Sequence, residues 1–245
     1  MDLKRALAAL EAAGTAQNRK VYRRHGVGDP LYGVSYANQG ELAKKNRGDT
    51  ELAIGLWESG IHDARILAAM IADPEEIRSS LLDTWVRDLD NYVLTDAFSD
   101  LVSQSPFAKT KVGRWTRSAQ EFVGAAGWNV LARLARQDPE LTDNELEEYL
   151  ATIETEIHGR RNRSRHSMNS ALIAIGIRNR KLERKALAAA KRIGKVEVDH
   201  GETSCKTPDA PHTSARLWRE DPRPPDERYW LGPRGLGWES ERRLP

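Results

Sequence analysis

Asp88-Leu89-Asp90-Asn91-Tyr92-Val93-Leu94-Thr95-Asp96 carries an acidic turn into a helix. At 100° per residue, Leu94, Ala97, Phe98 and Leu101 form an apolar stripe, and Tyr92 and Asp96 stand together on roughly the opposite side. A helix of this kind buries the stripe and turns one aromatic ring and one carboxylate away from the core. Held side by side on a rigid helix, the two can meet a cationic ring system and a developing positive charge together. The same spacing also describes an ordinary solvated helix face.

Outward from this stretch the periodicity stays helical. The preceding segment, 74–87, places Ile77, Leu81, Leu82 and Trp85 on one side. Asp73 is its expected cap, with Pro74 at the first helical position and Glu76 completing a capping box. Earlier helices are expected over 2–13, 36–46, 49–58 and 61–72. Between them, the stretch from Arg19 to Val34 has three glycines and a proline and reads as a structured loop that includes Tyr22. After a loop at 105–113, helices follow over 118–136, from the Thr142/Glu145 capping box to about Ile157, from near Arg163, and over 180–193.

No alternating strand pattern occurs before residue 193. The expected fold is all-α, an α-α superhelix of HEAT-like repeats with a period of roughly forty residues and a concave face made by one helix of each pair. Residues 1–198 form the repeat domain. Residues 199–245, rich in Pro, Gly, Arg, Glu and Trp and typified by Pro222-Arg223-Pro224-Pro225, read as an irregular, largely disordered tail, and its pattern does not decide whether Trp218, Trp230 and Trp238 dock on the solenoid, dock on DNA or share the disorder. Trp57 and Trp85 occupy core-like positions.

With 39% hydrophobic and 30% charged residues and no apolar run of membrane-spanning length, the chain reads as soluble and cytoplasmic. A lone Cys205 excludes an internal disulfide, and with His200 and His212 it lacks the spacing of a zinc site, so no metal is expected. Charge is segregated. From His158 to Lys195 there are twelve Lys or Arg residues against the single acid Glu183, whereas 138–157 has eight acids and no base. Arg160, Arg161, Arg163 and Arg165 thus mark a phosphate-binding surface, since a guanidinium donates two hydrogen bonds at once.

Tyr22…Leu31-Tyr32-Gly33-Val34, the Tyr92/Asp96 pair, Phe122-Val123-Gly124-Ala125-Ala126-Gly127-Trp128, Met168-Asn169-Ser170-Ala171-Leu172-Ile173-Ala174-Ile175-Gly176 and the closing 196–209 stretch follow one another along the chain. In that order they resemble the DNA alkylation repair family, the AlkD-type HEAT-repeat DNA glycosylases. The resemblance implies a monofunctional, cofactor-free glycosylase that releases N3-methyladenine or N7-methylguanine from duplex DNA without flipping the damaged base into a pocket. It places Asp96 on the family's catalytic aspartate and Tyr22 on its loop tyrosine. Tyr92 and Ser170 stand where the family has tryptophans, and Ala125 where it has an arginine that holds the DNA backbone. His166 and Ser170 share a face with Arg163, and Trp128 is expected to supply the missing aromatic surface.

On this reading a cationic purine departs as a neutral base, so no general acid is needed. Asp96 stabilises the oxocarbenium-like sugar and positions water, while Tyr92, Tyr22 and Trp128 pack against the deoxyribose. The chain is then a monomer, associated with the nucleoid when bound to DNA. Two alternatives share the fold: a DNA-binding paralogue without useful catalysis, and a HEAT-type protein scaffold whose basic block meets an acidic partner.

Overall fold

A computed structural model describes residues 1–211 and 213. His212, the proline-rich stretch 222–225 and the three tail tryptophans lie outside these residues. Among the described residues the chain forms twelve α-helices and no strand. They are α1 Leu3–Ala13, α2 Ala16–Arg24, α3 Tyr36–Asn46, α4 Thr50–Glu58, α5 His62–Ile71, α6 Ser79–Trp85, α7 Tyr92–Ser103, α8 Ala108–Trp115, α9 Glu121–Gln137, α10 Asp143–Glu156, α11 Asn162–Gly176 and α12 Arg180–Ile193.

Local chemistry sets most of the starts. Side chains of Asp2, Thr15, Ser35, Asp49, Asn91, Thr142 and Asn179 each accept a hydrogen bond from the backbone N–H three residues on, and Thr142 with Glu145 completes a capping box. Packing then orders the helices into two layers. In one row α3, α5, α7, α9 and α11 each lie against the next; behind it α4 packs on α5, α8 on α9, and α10 and α12 on α11. This is the stacking of a helical-repeat solenoid. Trp57 and Trp85 stack at 4.2 Å within its core, with Phe98 tilted against Trp57 and Trp115 against Phe98. Gly127 lets α9 approach α8, since a Cβ there would lie 2.6 Å from the backbone nitrogen of Thr116.

Four local expectations are corrected. Tyr22 is on a helix, because the glycines that break the pattern begin only at Gly26 and Thr15 caps α2 ahead of it. Residues 74–77 form a turn: Asp73 accepts from Glu75 N–H at 2.9 Å and Ile77 is buried, so the helix starts only at Ser79. The stretch at 105–113 holds the start of α8, whose stripe of Ala108, Val112 and Trp115 also buries Lys111. A lysine in the stripe hides its periodicity; here it is paired with Asp83 at 2.9 Å and donates to the Ser79 carbonyl. Finally, the described part of the tail is held down. Asn162 donates to the Asp199 carbonyl, Arg165 to that of Glu197 and Asn169 to that of Pro208, and Ala210 is buried. The partners of this segment are side chains of α11, which an aperiodic sequence does not reveal.

Candidate nucleic-acid interface

The open face of the helix row is set by the register of α7 on α9. Asn129 donates to the Asp96 carboxylate at 2.8 Å, and Arg133 pairs with Asp100; both pairs are 33 residues apart, so the two helices run parallel in fixed register. Tyr92, one turn before Asp96, therefore lies level with Ala125. Asn91, buried, starts α7 at this level by accepting from Leu94 N–H at 2.9 Å. On the inward side, the hydroxyls of Thr95 and Ser99 bond the carbonyls four residues back.

Asp96 is exposed to water, yet the protein around it pushes its carboxyl pKa up to about 6. Asp100 adds to the rise, and Arg133, the Asn129 hydrogen bond and Arg163 oppose it. A carboxylate that water reaches but protein largely surrounds lies in a recess. Arg133 also donates to the Asp96 carbonyl at 3.1 Å. Tyr36 faces the same recess: burial first and then Asp96 hold its phenol well above its ordinary pKa.

Tyr92 is engaged on two sides. Its hydroxyl shares a hydrogen bond with His25 Nδ1, and the guanidinium carbon of Arg163 lies 4.1 Å from its ring centroid. Arg163 belongs to α11, on the far side of α9, and its side chain crosses α9 at the level of the buried Ala125. The start of α11 is pinned for this reach, since Glu121 of α9 accepts from Arg163 N–H and Ser164 Oγ at 2.7 Å each.

The profile of the DNA alkylation repair enzyme family matches residues 6–211. The chain belongs to this family. Among its relatives are the uncharacterized proteins Lin0241 of Listeria innocua, 30% identical, and Lmo0209 of Listeria monocytogenes, 31% identical, each match covering 82% of this chain and 90% of the relative. A solved structure from "a new family of proteins related to the HEAT-like repeat DNA glycosylases with affinity for branched DNA structures" superposes with a TM-score of 0.83 at 28% identity, over 90% of this chain and 95% of that one.

Within this family frame, several expected contacts are corrected. Tyr22 is buried, donates to the Val34 carbonyl at 2.8 Å and packs edge-on against His62, so it holds the 25–34 loop and cannot face a sugar as it stands. Asp63 holds the same end of that loop through three backbone N–H groups, those of Tyr32, Gly33 and Val34. Trp128 is fully buried edge-on to Tyr149, because α9 is covered by α7, α8 and α11; the side of α9 turned to Asp96 and Asp100 carries the buried Asn129 and the half-buried Arg133 instead. Arg160 is tied to Glu156 and the Ser118 carbonyl, and Arg165 to the carbonyls of Glu197 and Arg160. These two brace backbone rather than present free forks.

Arg161 is exposed at the N-cap of α11, and Arg163, His166 and Ser170 lie along one half-buried face of that helix. Ser170 Oγ bonds the His166 carbonyl at 3.2 Å. The residues that the sequence reading passed over are His25, Tyr36, Asn129 and Arg133, and His200 enters it only as a rejected metal ligand. Asn129 and Arg133 had a usable signal, a repeat offset of 33 residues that aligns them with Asp96 and Asp100. His25, Tyr36 and His200 come from distant segments and left no pattern.

Proposed function

We propose that this protein binds DNA through the open face of α7, α9 and α11 and favours branched or otherwise distorted structures over plain duplex. The carrying observation is the Arg163 guanidinium over the Tyr92 ring. A ring already covered by a cation repels a cationic alkylpurine, whereas the same cation attracts a phosphate. The affinity for branched DNA described for the superposed structure supports the choice of ligand. Fluorescence anisotropy with a four-way junction and a linear duplex of equal length, across a salt series, tests it. The junction should bind about tenfold more tightly, with both affinities falling steeply as salt rises. Equal affinity for the two, or binding indifferent to salt, refutes the proposal.

Asp96 favours a second reading, the excision of N3-methyladenine and N7-methylguanine. Its recessed carboxylate, steadied by Asn129, is placed to stabilise positive charge as a glycosidic bond stretches and to orient the attacking water. With a pKa of about 6 it is largely ionised at neutral pH. Base release from methylated duplex DNA, compared between the natural chain and Asp96→Asn, tests this reading. Release that survives the substitution rules Asp96 out, and absence of release leaves DNA binding as the activity.

A further inference from the structure

We propose that Arg163, His166 and His200 form a binding site for one phosphodiester group, completed by the segment that follows α12. The inference rests on the DNA-binding reading and adds to it a residue from outside the helical repeats. Arg163 and His166 are three residues apart on α11 and so share a face. His200 arrives from the other side. Asp199 and Asn162 exchange hydrogen bonds at 2.7 and 2.8 Å, which fixes the backbone just before it. Its Nε2 bonds Thr207 Oγ1 at 3.0 Å, and its ring stands edge-on to His166 with centroids 5.5 Å apart.

The charges around this cluster point to an anion. Burial first, then His200 and Arg163, push His166 down to about 4; burial and Arg163 lower His200, with Asp199 opposing. Arg163 is faced from α7 by the uncharged ring of Tyr92. Asp199 is itself occupied, accepting from Gly201 N–H at 2.8 Å. His166 is half-buried, with Nδ1 enclosed and without a hydrogen-bond partner, which leaves Nε2 as the ring nitrogen a ligand can meet. Two imidazoles kept neutral beside a guanidinium would each gain from taking up a proton when a phosphate arrives. A metal cation is disfavoured at the same spot by the fixed charge of Arg163.

Binding of an anion here therefore takes up protons, and affinity must rise as pH falls. Asp96 also titrates in this window, so the test uses the full chain carrying Asp96→Asn. Histidine ring resonances are followed by NMR through a pH titration, with and without inorganic phosphate, and junction-DNA affinity is measured between pH 7 and 5.5. Phosphate should raise the apparent pKa of both rings by about one. Junction DNA should bind a few-fold more tightly at the lower pH, chiefly through His200, because a ring that titrates at about 4 takes up little proton above pH 5.5 even after a rise of about one. His200→Gln should flatten most of that dependence, and His166→Gln should weaken phosphate binding as read from a smaller shift of the His200 ring. Unmoved ring pKa values with both phosphate and DNA, in a chain that does bind DNA, overturn the site and spare the DNA reading. Rings that respond to phosphate in a chain that binds no DNA keep the site and discard that reading. Variants with unchanged affinity and pH slope also overturn the site.

Discussion

Arg163 reaches over α9 to cover the ring of Tyr92 at 4.1 Å, and it does so at the level of Ala125. The middle helix carries a small, buried residue at this level, between the cation of α11 and the aromatic of α7. The family resemblance puts a DNA-holding arginine at position 125; in this chain the cation over the Tyr92 ring is Arg163, from the next helix of the row.

Arg163→Ala should weaken binding of junction and duplex DNA alike, by about tenfold, and lower the slope of log affinity against log salt by about one. Anisotropy at four or five salt concentrations measures both. A loss confined to one DNA shape would contradict a phosphate role.

Ala125→Arg alone should destabilise the chain, because a second guanidinium must enter a buried site beside Arg163. Combined with Arg163→Ala, it should recover a large part of the DNA affinity that the single Arg163→Ala change loses. Additive losses in the double variant would show that the two positions do not share one role.

Asp96→Asn should raise thermal stability at pH 8. The folded carboxyl titrates at about 6, above its ordinary 3.8. A raised carboxyl pKa means that the ionised form costs stability, fully so above about 6 and not at all below about 3.8. The Tm difference between variant and natural chain should therefore shrink as pH falls from 7 to 4. A constant difference over that range would refute the titration. The same variant should also bind DNA more tightly at neutral pH, having lost a negative charge from the face.

Gly127→Ala should cost about 2 kcal/mol in urea unfolding, since its new methyl would press on the backbone of Thr116 and Trp115 where neither can give way. Gly113→Ala, where a Cβ would meet nothing within 4 Å, is the matched control and should leave stability unchanged or slightly raised. Equal effects at the two positions would refute the close approach of α8 and α9.

The helical class, most helix boundaries and the outward pairing of Tyr92 with Asp96 were legible in the chain. Apolar spacing and side-chain caps are local signals, carried within a few residues of where they act. Thr142 with Glu145 is the clearest case, because both halves of the capping box are read directly from the sequence and found in the structure. Local signals failed where a tertiary partner rewrote them. Lys111 is a core residue only because Asp83 and the Ser79 carbonyl meet its ammonium.

By itself, then, the sequence determined an all-helical repeat chain with a basic block over 158–195 and one outward carboxylate. Only the tertiary structure decided what surrounds that carboxylate. It buried Tyr22 and Trp128, tied down Arg160 and Arg165, and brought His25, Asn129, Arg133 and Arg163 to the Tyr92/Asp96 face. The physical reason is that periodicity specifies which side of a helix is buried. Which neighbour covers the other side depends on the register between helices, and register is set by contacts among residues more than thirty positions apart.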